Sequence, residues 1–226
     1  MIGGDVCTRS CKFCNVKTGR PAPLDPAEPE NIANSVKLLG LKHAVITSVD
    51  RDDLADLGAA HWVKVIEAVK RVNPETTMEV LIPDFQGRRE LVQQVIEARP
   101  EVISHNLETV RELSDGVRSR AKYDTSLQVI RQVSESGIVS KSGIMLGLGE
   151  TREQILRTMD DLLAVGCKVM TIGQYLQPSE ANLEVKEYVT PETFQEYERI
   201  GLEKGFRYVE SGPLVRSSYH AEKHVR

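Results

Sequence analysis

The sequence of 226 residues is poor in aromatic side chains, and it contains no long apolar run. Phenylalanine, tyrosine and tryptophan make up only 5% of the chain, so its core must be built mainly from aliphatic side chains. No apolar segment approaches the length that a membrane-spanning helix needs, and no export signal is visible. We therefore expect a cytoplasmic protein that does not act in a membrane.

The chain also lacks a block of basic residues, and it has few cysteines. The 29 basic and 33 acidic residues give a net charge of −4, so the composition does not indicate a nucleic-acid-binding surface. Three of the four cysteines lie close together in the segment "CTRSCKFC", as Cys7, Cys11 and Cys14. In a reducing compartment, clustered thiols indicate metal or catalytic ligands rather than disulfides.

Short β-branched segments alternate with amphipathic helical patterns along the whole chain. Strands are predicted over residues 43–48, 77–82, 101–106, 142–147, 168–176 and 207–212. Helices are predicted over 61–72, 88–98 and 126–136, after a capping box at Thr151 and Gln154, and over 190–205. This alternation, at intervals of about 25 to 40 residues, predicts βα units and a parallel sheet.

We expect one α/β domain, a partial (β/α)6-type TIM barrel that is truncated in its first strand. Residues 1–16 would hold that strand and the cysteine loop, 17–205 the βα repeats, and 206–226 the last strand and the tail. Residues 17–30 are rich in proline and are predicted to form a long loop on the active side.

The cysteine spacing C-x3-C-x2-C distinguishes between several kinds of site. A structural zinc site needs four ligands, but Cys167 is expected at the opposite end of a strand about 20 Å long. A redox pair needs only two thiols, and an odd count argues against a disulfide framework. Three thiolates fit a cubane 4Fe–4S cluster best, with one iron left open. A zinc or incidental cluster remains the alternative.

With Phe13 before the third cysteine, this motif resembles that of the radical S-adenosylmethionine (SAM) enzymes. In that superfamily SAM chelates the open iron, and one electron cleaves its sulfonium to give a 5′-deoxyadenosyl radical. The segment "GIMLGLGE", which contains Gly147, is similar to the strand that flanks the adenine. The segment "TSVDRDD", which contains Ser48, ends a strand where ligands bind in βα barrels. A buried strand and a helix N-cap would explain these two segments equally well.

Eight segments in chain order resemble those of the lipoyl synthases. They are "CTRSCKFCNVKTGRP", "ITSVDRDDL", "EVLIPDFQG", "ISHNLETV", "VRSRAKY", "SKSGIMLGLGE", "TIGQYLQPS" and "VRSSYHAEKH". The resemblance implies sulfur insertion at C6 and C8 of an octanoyl group on a lysine of a lipoyl carrier domain, from a 2-oxoacid dehydrogenase or the glycine cleavage system. It further implies an electron donor such as ferredoxin or flavodoxin. A biotin-synthase-like enzyme and a catalytically incomplete iron–sulfur or zinc protein are the alternatives.

The resemblance also implies roles for single residues. Cys7, Cys11 and Cys14 match the ligands of the radical-generating cluster. Asn106 and Glu108 match contacts to the amino acid or the ribose of SAM, although Glu108 would also suit the first turn of a helix. Arg118 and Arg120 would hold a carboxylate or lie in a solvated loop.

The C-terminal motif "RSSY" implies a second, auxiliary 4Fe–4S cluster that supplies the sulfur. Ser218 matches its serine ligand, although a hydroxyl that caps the chain end is the simpler interpretation. His220 and His224 are expected to be ordinary tail residues. The family's C-x4-C-x5-C motif, which holds that cluster, is absent from these 226 residues. A fragment or a misassigned start is the favoured explanation, and a short protein that only cleaves SAM is the other.

Overall fold

The computed structural model describes residues 1–225, and its main feature is a parallel sheet. Two short strands, β1 (Val6–Cys7) and β2 (Lys17–Thr18), first pair in parallel as a separate ribbon. Six strands then form one sheet in chain order: β3 (His43–Thr47), β4 (Thr77–Leu81), β5 (Val102–Ser104), β6 (Val139–Leu146), β7 (Val169–Gln174) and β8 (Tyr208–Gly212). Every neighbouring pair is parallel, which confirms the predicted α/β class.

Helices connect the strands along the whole sheet. They are α1 (Glu28–Leu38), α2 (Ala59–Val72), α3 (Arg89–Glu97), α4 (Arg111–Val117), α5 (Tyr123–Glu135), α6 (Arg152–Ala164) and α7 (Pro191–Lys204). Within the described part of the chain, none of them is both long and apolar enough to cross a membrane.

Two of these helices were not predicted. The segment 17–30 was expected to be a loop throughout, but α1 begins at Glu28 with Pro29 in its first turn. Proline is tolerated there because the first helical N–H groups have no partner inside the helix. The helix buries only Pro29, Ala33 and Val36, so its apolar stripe is too sparse to recognise. The seven residues of α4 are likewise too few for a periodic pattern.

Aliphatic side chains on the outer face of the sheet pack against these helices. Around β3 and β4, Ile46 and Val80 belong to one buried cluster with Trp62 and Ile66 of α2, and Trp62 is only 2% exposed. Around β6 and β7, Leu146 and Ile172 belong to a second cluster with Met159 and Phe194. Burial of each such side chain stabilises the fold by about 1.5–3 kcal/mol. Because successive side chains of a strand point to opposite faces, the polar residues between them lie on the inner face of the sheet.

The first predicted strand is reduced to a single bridge beside β3. The backbone N–H of Ile2 donates to Thr47 O at 2.8 Å, and Val49 N donates to Ile2 O at 3.2 Å. Among residues 1–225, no strand pairing joins β3 to β8, so the barrel is open between its edges. A 3-10 turn of the tail, Ala221–Lys223, packs beside β3 at this opening.

The predicted capping box is present at the start of α6. Thr151 Oγ1 accepts from Gln154 N at 3.4 Å, and Gln154 Oε1 accepts from Thr151 N at 2.8 Å.

We expect Thr151→Ala to lower the free energy of unfolding by about 1 kcal/mol, because the first turn loses a capping acceptor. Thr151→Ser keeps the hydroxyl and is the control in urea unfolding. An equal loss in both variants would contradict this role.

Candidate active site

The cysteine loop lies across the carboxyl ends of the parallel strands. Thr8 N donates to Asp50 O at 3.1 Å, in the segment that follows β3. Lys12 N donates to Val117 O at 2.9 Å, and Lys12 O accepts from Leu183 N at 3.1 Å, in the segment that follows β7. The loop is therefore fixed to the edge of the sheet at which βα barrels place their active sites.

The three thiols of the loop differ in exposure, and two of them have backbone N–H donors. Cys7 is buried, Cys11 is half-buried and Cys14 is exposed. Arg9 N and Asp50 N each lie 3.4 Å from Cys7 Sγ, and Val16 N lies 3.5 Å from Cys14 Sγ. Loss of solvation raises the pKa of the Cys7 and Cys14 thiols. N–H groups directed at sulfur stabilise the negative charge that cluster-bound thiolates carry.

Cys167 takes no part in this loop. It precedes β7, at the opposite end of the sheet from the cysteine loop, as expected. Its thiol lies 3.4 Å from Val169 O and 3.7 Å from Ser140 O, and burial raises its pKa to about 12. Such a thiol is an inert, structural side chain.

The donor set of the loop fits a cubane better than a single metal ion. Across residues 1–225, no three His, Cys, Asp or Glu side chains are gathered around one point where an ion could bind. A cubane does not need such a gathering, since each thiolate binds a different iron. Three spaced thiols with N–H donors on two of the sulfurs meet that requirement.

A buried arginine inside the cysteine motif holds the loop to two neighbouring strand ends. The guanidinium of Arg9 contacts Asp52 and Asp84 at 2.8 Å each, and Asp50 at 3.3 Å. The two aspartates 50 and 52 follow β3, whereas Asp84 follows β4. Hydrogen bonding and the charge of Arg9 outweigh burial and hold the pKa of Asp52 and Asp84 below the usual range. No local pattern in the sequence indicates this network, because Arg9 and its partners lie in distant segments of the chain.

We expect Arg9→Met to lower the free energy of unfolding of the metal-free chain by about 3–5 kcal/mol. The reason is that three carboxylates, two of them buried, lose their counter-ion. Arg9→Lys keeps the charge but not the fork of donors, and it should cost less. Urea unfolding followed by circular dichroism measures both. A loss below about 1 kcal/mol for Arg9→Met would show that the network is solvated.

A cavity of about 230 Å³ opens beside the loop, and three of the predicted residues line it. Its lining includes Phe13, Asn106 and Glu108, together with Gly143 of β6 and Tyr175, which directly follows β7. The three also border a second space of about 130 Å³, which reaches Cys11, Ser48, Asp50 and Arg118. The structure thus brings Phe13, Ser48, Asn106 and Glu108 together around one chamber beside the cysteines.

Glu108 lies where β5, β6 and the chamber meet. Its backbone has a φ of +68° and bridges β6, through Glu108 N to Gly143 O at 3.0 Å and Met145 N to Glu108 O at 2.9 Å. It precedes α4 by three residues and is therefore not an acid of a first helical turn. Burial raises the pKa of its carboxyl, which the charge of Arg118 opposes.

Gly147 supports the chamber without lining it. Its φ is +96°, and a Cβ there would lie 2.4 Å from Gln174 Nε2. Its N–H donates to Glu150 at 2.6 Å, which closes the turn after β6. Gly143, in contrast, lines the 230 Å³ cavity directly. A Cβ at this position would lie 2.3 Å from Thr171 Oγ1, so there is no room for a side chain.

The two arginines of "VRSRAKY" occupy different environments. Arg118 is buried, and its Nη1 donates to Ser126 Oγ at 2.8 Å and to Leu107 O at 3.3 Å. Arg120 is exposed and lies 3.7 Å from Asp52. Of the two, only Arg118 borders the chamber.

A buried histidine continues the hydrogen bonds of Arg118. His105 Nε2 lies 2.9 Å from Ser126 Oγ, and its Nδ1 lies 2.9 Å from Ile82 O. Since a carbonyl only accepts, Nδ1 carries the proton and Nε2 accepts from the serine. Burial lowers the pKa of His105 to about 4.

The neutral state of His105 predicts acid sensitivity. The unfolded chain binds a proton on this side chain below pH 6.5, whereas the folded chain does so only near pH 4. We expect the free energy of unfolding to fall as the pH drops through this window, by about 3 kcal/mol from this group. His105→Gln cannot ionise and should flatten the curve. Urea unfolding at each pH between 7 and 4 gives this free energy for both proteins. If it falls equally with pH in the wild type and in His105→Gln, His105 is not the cause of the acid sensitivity.

The "RSSY" segment points its first serine, rather than its second, towards the chamber. Ser217 lines the 230 Å³ cavity, and its Oγ accepts from Asn106 Nδ2 at 3.1 Å. Ser218 is exposed. His220 contacts Glu210 at 3.1 Å, whereas His224 is fully buried and lies 3.7 Å from Glu210. His224 is therefore a packed residue at the base of the tail.

The comparisons with known proteins now decide the family. The model of the radical SAM superfamily matches residues 1–162. The lipoyl synthase of Treponema denticola is 72% identical over 225 residues, which cover 100% of this chain and 78% of that protein. The lipoyl synthase of Phocaeicola vulgatus is 66% identical over 226 residues, which cover 100% of this chain and 80% of that protein. The chain belongs to the lipoyl synthase family.

Two solved structures share the fold of this chain. The hydrogenase maturase HydG superposes with a TM-score of 0.72 at 13% identity, over 98% of this chain and 52% of that one. Streptococcus suis SuiB bound to S-adenosylmethionine gives 0.71 at 14% identity, over 97% and 51%. The family model and the curated relatives make this lipoyl synthase family member an enzyme of the radical SAM superfamily, which uses a 4Fe–4S cluster and SAM. The identity to lipoyl synthases favours that family over a biotin-synthase-like one.

Sequence reasoning missed the charged residues that support the site of this lipoyl synthase family member. Arg9 lay within the motif itself, and Glu79 interrupted the predicted strand "TMEVLI". A charge inside an otherwise apolar strand is the signal that could have indicated a polar barrel interior, because such a residue is seldom buried unless it is paired.

Proposed function

We propose that Cys7, Cys11 and Cys14 bind the 4Fe–4S cluster of a lipoyl synthase and that SAM lies in the chamber beside them. The observation that carries this assignment is the position of Phe13. This residue stands between the second and third cysteines and lines both spaces of the chamber. Cys11 borders the 130 Å³ space, which shares Phe13, Asn106 and Glu108 with the 230 Å³ cavity, so a molecule held beside Cys11 could occupy both spaces.

The chamber offers polar groups suited to SAM at its centre. Asn106 and Glu108 stand where the two spaces meet and can bind the amine of the methionine portion or the ribose hydroxyls. The backbone of Gly143 can approach the adenine closely because that residue has no side chain. Arg118, which borders the chamber, offers a positive charge to the methionine carboxylate.

A cluster bound by Cys7, Cys11 and Cys14 would supply one electron to each of two SAM molecules in turn, and each 5′-deoxyadenosyl radical would remove one hydrogen atom, from C6 or from C8 of the octanoyl group. The residues of this chain bind SAM and keep water from the reacting atoms, since Phe13 packs against Tyr175 and Leu148 beside the cavity. The substrate is an octanoylated lysine of a lipoyl carrier domain, from a 2-oxoacid dehydrogenase or the glycine cleavage system. Ferredoxin or flavodoxin would supply the electron.

The sulfur of the product would come from an auxiliary 4Fe–4S cluster with Ser218 among its ligands. Ser218 is exposed and thus accessible to such a group. Cys167, the one cysteine of these 226 residues outside the loop, is buried and inert, so the thiolates of that second cluster are not among them.

Anaerobic reconstitution tests the assignment. We expect about four irons per chain and turnover of SAM to 5′-deoxyadenosine with dithionite as reductant. Cys7→Ala, Cys11→Ala and Cys14→Ala should each abolish SAM turnover, because the cluster loses a ligand. Cys167→Ala is the matched control and should keep both iron and turnover, since its thiol lies at the far end of β7.

Two results would overturn the assignment: zinc bound in place of iron, or a complete cluster that does not turn over SAM. Addition of an octanoylated carrier peptide then tests the substrate. Deoxyadenosine formation should rise with the octanoylated peptide and stay at the basal rate with the unmodified one.

A further inference from the structure

The C-terminal tail, residues 213–225, enters the open barrel and forms part of the chamber. Val215, Arg216 and Ser217 line the 230 Å³ cavity together with Phe13 and Glu108. Below them, Ala221 and His224 are buried, and the turn that contains Ala221 packs beside β3. One wall of the proposed SAM site is thus a segment that belongs to no strand or helix of the barrel.

Two side chains from the barrel interior hold this tail at a single residue. Lys141 Nζ donates to the carbonyl of Ser217, and Asn106 Nδ2 donates to its hydroxyl at 3.1 Å. Lys141 belongs to β6 and Asn106 follows β5, so the tail is fixed to two neighbouring strands. Ser217 is accordingly the attachment point, whereas Ser218 next to it faces solvent.

The lysine is in turn held by a buried carboxylate. Lys141 Nζ lies 2.8 Å from Glu79 Oε2, and the two side chains are 1% and 0% exposed. Ser104 Oγ donates to the other oxygen of Glu79 at 3.1 Å. The three residues come from β4, β5 and β6 and form a polar layer across the barrel interior.

A buried ion pair of this kind is not needed for stability alone. The cost of removing two charges from water cancels much of their attraction, and apolar residues of equal volume often stabilise a fold as well. Buried polar groups do specify one arrangement among several, because every other arrangement leaves a charge without a partner. Here the ammonium group requires a carbonyl at one position, and the tail supplies it through Ser217.

A glycine on β7 gives the tail room to approach. A Cβ at Gly173 would lie 2.4 Å from the carbonyl oxygen of Val215, too close for any side chain. The carbonyl of Val215 therefore sits directly against the backbone of the strand. This contact does not involve Lys141, and it holds the same tail segment against β7.

We propose that Lys141, oriented by Glu79, is a positioning residue that anchors the C-terminal tail as a wall of the SAM chamber. The identity of the ligand as SAM rests on the proposed function. The anchoring of the tail by Lys141 does not depend on which ligand binds. Loss of the anchor frees residues 215–217, opens the chamber to solvent and weakens SAM binding without touching the cysteine loop.

The test uses the double variant Glu79→Gln/Lys141→Met, which removes both charges together and leaves no unpaired ion in the core. Trypsin cleavage after Arg216 reports release of the tail, with cleavage after Lys42 as the internal reference. We expect cleavage after Arg216 to become about tenfold faster or more, and cleavage after Lys42 to stay unchanged. Lys223→Ala removes an exposed charge of the same tail and is the matched control.

The reconstituted proteins give the second readout. The double variant should keep its iron content and its turnover at saturating SAM, but its Kd for SAM should rise about tenfold or more. A general loss of structure would lower iron and turnover as well. Gly173→Ala, which keeps the ion pair and displaces Val215, should reproduce the faster cleavage after Arg216.

Each outcome has one meaning. Unchanged cleavage after Arg216 in both the double variant and Gly173→Ala would disprove the anchor. Faster cleavage with an unchanged Kd for SAM would disprove the role of the tail as a wall of the chamber. If the wild-type chain binds no SAM, the proposed function fails, while the cleavage data still decide whether Lys141 anchors the tail.

Discussion

One guanidinium among three carboxylates is the interaction on which the site depends. Arg9 lies between the first two cysteines of the motif, and its partners follow β3 and β4. Because the parallel strands all end at the same edge, two aspartate-bearing loops can meet the cysteine loop there. The arginine neutralises carboxylates that would otherwise repel one another and the thiolates beside them. The position of the thiols is thus set by charges from distant parts of the sequence.

The interior of this barrel is more polar than its strands suggest. Patterns of apolar residues describe the outer face, where helices pack, and there Ile46, Val80, Leu146 and Ile172 behave as a buried sheet requires. The inner face is different, because it must bind a charged, polar ligand rather than fill itself with side chains. Glu79 and Lys141 compensate each other there, so neither leaves an uncompensated charge in the core.

The fold could be predicted from the sequence because its signals are local. The patterns of the six main strands, the capping box at Thr151 and the proline at the start of α7 each arise from neighbouring residues, and the structure has these elements within a few residues of the predicted positions. The cysteine spacing and Phe13 are local in the same sense. The partners of Arg9, the attachment of Ser217 to Lys141 and the backbone of Glu108 depend on contacts between segments far apart in the chain. No pattern in a single sequence reports such contacts.

The chamber is therefore bordered by two segments that the barrel itself does not provide, one near each end of the chain. The cysteine loop begins at Cys7 and the tail wall ends at Ser217, and each is held to the strands by a buried cation, Arg9 or Lys141. Arg9 is fixed by three carboxylates in the segments after β3 and β4, whereas Lys141 is fixed by Glu79 on β4. Displacement of the cysteine loop would therefore leave buried charges unpaired, and displacement of the tail would leave the Lys141 ammonium without one of its acceptors. A rigid sheet with two electrostatically held walls thus defines the shape of the chamber in which SAM would react.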